Sequence, residues 1–189
     1  AKTSAGCLGT KSVTLTATSA CTNVNIVITP TVVNVTPCIT PANNGSITVA
    51  ASGSTGFTYN LNGGAYQAGT TFSNLAAGSY LVGVKDANGC TQTKTTTVAL
   101  VPQGPNFVQM RALITNRCSS GSGCHMNGGN AAGYNFDSDC SIVTNWSQIQ
   151  GACVTYTLKK MPISPQAILT TAEKQVITNW INAGHRYTD

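Results

Sequence analysis

The chain has 189 residues, 41% of them apolar and only 8% charged, and ten basic residues against five acidic ones give a net charge of +5. That length predicts two modules, while the scattered basic residues and the shortage of charge exclude a phosphate-tracking nucleic-acid binder and a coiled coil. Eight cysteines in so uncharged a chain indicate an oxidising compartment and hence export. No apolar run approaches the roughly 18 residues needed to span a bilayer, and the opening Ala1-Lys2-Thr3 has no hydrophobic signal core, so a processed, soluble, secreted or cell-surface form is expected.

Residues 1–36 supply short strand-like runs, Val13 with Leu15, Val24 to Ile28 and Val32 to Val35, too few to close a sandwich of their own. They are expected to extend the neighbouring sheet, or else to donate a strand to the next molecule and so build a filament. Further on, Ile47, Val49 and Ala51, then Phe57, Tyr59 and Leu61, then Tyr80, Val82 and Val84 alternate with polar residues. This period of two marks half-buried strands of an antiparallel sandwich over residues 37–101. Turn signals stand at Asn44-Gly45, Asn62-Gly63-Gly64 and Asn88-Gly89, the second predicting a hairpin.

Residues 102–105 read as a linker, and from Asn106 the pattern becomes helical. Asn106 is a candidate cap for a helix carrying Phe107, Met110, Leu113 and Ile114 on one face, with Gln109 at the capping-box position. Thr170-Thr-Ala-Glu173 is a second capping box. It opens a helix with Val176, Ile177, Trp180 and Ile181 as its apolar stripe and Gly184 as its stop.

Between these helices lies Arg117-Cys-Ser-Ser-Gly-Ser-Gly-Cys-His-Met126, for which three readings compete. Cys118 and Cys124 close a plain disulfide loop, or they are half of a zinc site, or they anchor a haem. Zinc needs two further nitrogen or sulfur ligands, and the only other histidine is His185. Covalent haem uses two thiols and a histidine directly after the second, which is thereby placed under the iron. Cys124-His125 has that adjacency, although five residues separate the cysteines where two are usual. The small and glycine residues of the gap allow it to bend.

Pro37-Cys38, Asn44-Gly-Ser-Ile-Thr-Val49, Phe57-Thr-Tyr-Asn-Leu61, Leu75-Ala-Ala-Gly-Ser-Tyr80 and Val84-Lys-Asp-Ala-Asn-Gly-Cys90 resemble the SprB-type repeat of Bacteroidota surface proteins. That resemblance implies an immunoglobulin-like module, a Cys38–Cys90 bridge and a surface setting. The succession of a helix, the Cys118–His125 segment, Lys159-Lys-Met-Pro162 and a last helix ending Trp180-Ile-Asn-Ala-Gly184 is similar to class I c-type cytochromes. It implies an all-α cytochrome c-like domain over residues 106–189, following the all-β immunoglobulin-like sandwich. It also implies one covalent haem c on Cys118 and Cys124, with His125 and Met161 as axial iron ligands. Tyr134, Phe136, Trp146, Leu158, Ile163 and Trp180 are candidate walls of the haem pocket. Met126 and Met110 are read as packing residues and His185 as a solvated helix-end histidine.

The six remaining cysteines are expected to pair in sequence order, as Cys7–Cys21, Cys38–Cys90 and Cys140–Cys153. The function expected is one-electron transfer, not catalysis, towards a redox partner protein or a neighbouring haem subunit, because residues 1–101 hold no histidine and one acid, Asp86. The alternative is a structural or adhesive surface protein with Cys118–Cys124 as a plain disulfide and no haem.

Overall fold

The computed structural model describes residues 21–118, 125–126, 133–158, 161 and 168–189. Cys7, Cys124, Ile163 and the strand-like run at Val13 and Leu15 therefore lie outside the described residues, as does most of the segment expected to be donated between molecules.

Strands β1 (Val27–Val33), β2 (Gly45–Ser52), β3 (Thr58–Leu61), β4 (Thr71–Leu75), β5 (Gly78–Lys85) and β6 (Thr91–Val98) form two three-stranded sheets. Their orders are β1-β2-β4 and β3-β5-β6, every neighbouring pair antiparallel. Alternation does what the physics requires: Ile47 and Val49 of β2 and Val82 and Val84 of β5 turn inward and meet Ile26, Ile28, Tyr59 and Val98 in one buried cluster. Beyond β1, Val35 bridges in parallel to Leu100, tying the start of the sandwich to the chain that leaves it. Lys94 of β6 donates to the carbonyl of Ile28 in β1 at 3.0 Å, so a side chain from one sheet occupies a backbone acceptor of the other.

Two strands run where no apolar alternation marks them. Strand β6, Thr-Gln-Thr-Lys-Thr-Thr-Thr-Val, is exposed over most of its length and buries only Val98, while β4 buries no residue fully. The Asn62-Gly63 turn does form, with Gly64 N–H donating to the carbonyl of Leu61 at 3.1 Å, and Tyr59 and Gln67 exchange two backbone bonds of 2.8 Å. The expected hairpin stops there, because β3 finds its partner in β5.

Among the described residues four helices follow: α1 (Pro105–Cys118), α2 (Asp139–Thr144), α3 (Trp146–Cys153) and α4 (Thr171–Ala183). Helix α1 opens on Pro105, one residue ahead of Asn106, at a position where a missing N–H costs no intrahelical bond. Helix α4 has the expected capping box, Thr170 and Glu173 each bonding the other's backbone N–H, and Gly184 stops it at a φ of 125° that a side chain would resist. Phe107, Met110 and Ile114 of α1 bury against Ile177 and Trp180 of α4 in a second cluster, joined by Ile142, Ile149 and Leu169. The C-terminal tail folds back on the linker: Gly104 N–H donates to Tyr187 O and Phe107 N–H to Asp189 O. A Cβ at Gly104 would collide with the backbone of Thr188.

This architecture corrects the expectation of an immunoglobulin-like sandwich followed by an all-α cytochrome c-like domain. The fold is a β-sandwich-like domain of two sheets with a few short helices, and among the described residues no separate all-α domain is evident: α2 and α3 have only six and eight residues, and the helices are fastened to the sandwich by a disulfide. The cysteines pair as Cys21–Cys90 and Cys38–Cys140, not in sequence order. Asp86 explains one end of the first bridge. It accepts from Ser54 Oγ, Asn88 N–H and Cys90 N–H, which fixes the Asn88-Gly89 turn and turns Cys90 into the core. Asn44 explains one end of the second. Its side chain takes Thr36 N–H and gives to the carbonyls of Thr36 and Pro41, closing the loop that holds Cys38 out to meet Cys140 on α2. Non-reducing peptide mapping should recover Cys21 joined to Cys90 and Cys38 to Cys140. Serine at both Cys38 and Cys140 should lower stability by about 2–4 kcal/mol, and recovery of a Cys38–Cys90 peptide would refute the arrangement.

Candidate functional site

Helix α1 ends at Cys118, and the face that buries Ile114 continues into a cavity of about 280 Å³. Cys118, His125 and Met161 all line it, together with Tyr134, Phe136 and Leu158 and with Ile114, Gln148, Ile149, Ala152 and Cys153. Apart from His125, Gln148, Tyr134 and the sulfur atoms the walls are apolar, and the volume is close to the lower end of the roughly 300–1,000 Å³ usual for small-molecule and cofactor sites.

His125 is held by three contacts. Its Nδ1 lies 2.9 Å from the carbonyl of Tyr134; a carbonyl only accepts, so Nδ1 carries a proton, and in the neutral ring Nε2 is then the nitrogen with the lone pair. Its ring stacks on Phe136 with centroids 4.7 Å apart, and its own carbonyl accepts from Phe136 N–H. Met161 is anchored through its backbone, the N–H donating to Ala152 O at 3.0 Å on the last turn of α3. The same turn carries Cys153, so α3 forms one wall of the cavity and also supports Met161.

Among the described residues Cys153 is a buried thiol, and burial pushes its pKa up to about 11. The Cys140–Cys153 pairing is thus corrected on both sides. Helices α2 and α3 break at Asn145, and Cys140, at the start of α2, meets Cys38 instead.

Of the expected walls, Tyr134, Phe136 and Leu158 reach the cavity, whereas Trp146 and Trp180 do not. Trp180 is fully buried between the helices, 5.9 Å from the ring of Phe107, with its indole N–H on the carbonyl of Arg186. Trp146 stacks on His185 at 4.3 Å, so His185 is a ring partner at the junction of the halves and not a solvated helix end. Ile163 and Cys124 lie outside the described residues. Sequence reading missed Ile149, Ala152 and Cys153, whose spacing of i, i+3 and i+4 was the available signal for one helix face. Met110 and Met126 are buried in the helical cluster.

No family model, no curated protein and no solved structure matches the chain. With Cys38 bonded to Cys140 and not to Cys90, the resemblance to the SprB-type repeat is not upheld. The resemblance to class I c-type cytochromes fares no better, since no separate all-α domain is evident among the described residues. Among the described residues no group of three or more His, Cys, Asp and Glu is placed to hold a metal ion, which leaves the zinc reading without support there. Two disulfides are compatible with an oxidising compartment, and among the described residues no helix is long and apolar enough to cross a membrane.

The buried thiol gives a pH signature. A thiol whose folded pKa lies above its unfolded value adds stability that is complete below about pH 9 and is lost as the pH rises towards 11. The loss amounts to about 2–3 kcal/mol. Thermal melts between pH 8 and 11 should show it, and Cys153→Ala should flatten that part of the profile; an equally steep fall in the variant would remove Cys153 as its cause.

Proposed function

We propose that this chain carries one covalently attached haem c in the cavity of its helical half and serves as a one-electron carrier in an extracytoplasmic setting. What carries the reading is that one apolar cavity gathers Cys118, the His125 imidazole and the Met161 thioether. The residues fit such a group. Cys118 and Cys124 would hold it through thioether bonds, and His125 and Met161 would ligate its iron.

A haem so held supplies reversible one-electron exchange at iron, with a thioether ligand favouring the reduced state. His125, its Nδ1–H bound to Tyr134 O, presents the correct tautomer without reorganisation. Ile114, Ile149 and Phe136 give the cavity apolar walls, which would also favour the less charged, reduced form. With His125 and Met161 both committed to its iron, such a group would keep no site for a substrate, which is why a carrier is favoured over a catalyst.

Leu158 lines the cavity and is also 47% exposed, so electrons have a short way out on that side. With charge this sparse, long-range steering contributes little. The acceptor is read as a redox protein or a neighbouring copy of the chain in close contact. Light scattering over a concentration series separates the two: mass that grows with concentration favours the copy.

The purified protein should show the absorption of a low-spin haem with a weak band at the red end of the ferric spectrum. Met161→Ala should abolish that band and lower the reduction potential. A band that survives the substitution overturns the ligand assignment. A colourless protein in which Cys118 and Cys124 form a disulfide favours a structural or adhesive surface protein.

A further inference from the structure

Resting on the reading of the cavity as a haem site, we infer that Arg111 is the positioning residue of the His125 imidazole. The inference follows a chain of contacts. Arg111 lies on α1 two turns before Cys118, and its guanidinium donates through Nη1 to the carbonyl of Phe136 and through Nη2 to that of Asp137 at 2.9 Å. The backbone it holds is the strap that fixes His125: Phe136 stacks on the imidazole, Phe136 N–H bonds the His125 carbonyl, and Tyr134 O receives Nδ1–H.

The strap lies outside the named helices and strands. Asn135 and Asp137 bond each other within the turn, and Phe136 is buried in the helical cluster. Arg111 ties the backbone of this strap to the helix that bears Cys118, and so helps to set the place and rotation of the ring across the cavity.

Its chemistry suits arginine and not lysine. Two adjacent carbonyls ask for a planar fork of fixed spacing, whereas an ammonium is a point donor on a flexible stem. Arg111 Nε also lies 3.2 Å from Asp139 Oδ1, but those side chains are 24% and 29% exposed, and an ion pair so accessible to water contributes little. The carboxylate is in addition held by Gln103 at 2.7 Å. The two carbonyl bonds, not the ion pair, are what the imidazole depends on.

Three variants of the full chain test this: Arg111→Lys, Arg111→Met and Asp139→Asn. Absorbance that stays with the denatured chain first establishes covalent haem in the parent and in each variant; its absence from the parent sinks the haem reading and not the positioning role. In the haem-loaded protein the low-spin ferric paramagnetic resonance signal, whose anisotropy reports how the imidazole plane is held, should shift and broaden in both Arg111 variants and stay parental in Asp139→Asn. The second arm needs no haem. In the full chain produced without haem attachment, solvent exchange of the His125 Nδ1 proton should accelerate at least about tenfold in Arg111→Lys, as expected on losing a charge-assisted bond. A parental signal and parental exchange in Arg111→Lys, or an equal change in Asp139→Asn, would overturn the assignment. Should Arg111→Met fail to fold, Arg111→Lys decides alone.

Discussion

Two hydrophobic clusters that share no common interior need something to hold them in register, and the Cys38–Cys140 disulfide is that constraint. One cluster lies between the sheets and the other between α1 and α4. Around the bond, pieces that are individually weak become consistent: Asn44 closes the loop that presents Cys38, Ser138 caps the helix that presents Cys140, and the tail from His185 to Asp189 fills the angle between linker and helices. A surface with few charges offers little electrostatic help in joining two halves. Closing a long loop covalently restricts the unfolded chain instead. The cavity benefits because α2 and α3, too short to stand alone, are anchored at one end by the sandwich.

The geometry around the cavity follows from helix ends. Helix α1 delivers Cys118 at its C-terminus, α3 delivers Cys153 and the acceptor for Met161 at its own, and the strap at 134–137 runs back across α1 under the hold of Arg111. At the far side, Arg117 pairs with Glu173 at 2.8 Å, so the residue next to Cys118 is tied to the first turn of α4. The Thr170 N–H and then the Arg117 guanidinium keep the Glu173 carboxyl below the usual carboxylate range. Both arginines of α1 thus brace the surroundings of the cavity while its walls remain apolar.

How far the sequence could be read depends on which physical signal each element carries. Strands β2, β3 and β5 alternate apolar with polar residues because one face is buried, and they were legible; β6 is a run of threonines with only Val98 buried, so no periodicity announces it. The capping box at Thr170 and Glu173 is local chemistry and was legible too. Cys118, His125, Met161, Tyr134, Phe136 and Leu158 line one cavity, a grouping that was expected only through the resemblance to a family and not from any local signal of their own. Disulfide pairing is a matter of distance in space, and the rule that each half bonds within itself led away from Cys38–Cys140. The ending Trp180-Ile-Asn-Ala-Gly184 resembled a known family, yet its apolar stripe and glycine stop serve any short helix that must bury one side and end. Trp180 accordingly packs between helices instead of facing the cavity.

The account stands or falls on whether Cys118 and Cys124 hold a macrocycle or each other. The intact mass of the full-length protein, taken from an oxidising compartment and measured under denaturing, non-reducing conditions, decides it. The account predicts the chain mass plus one haem, with the Cys21–Cys90 and Cys38–Cys140 bridges closed and Cys153 open to alkylation once unfolded. A mass equal to the polypeptide alone, with Cys118 and Cys124 recovered as a disulfide, would contradict it.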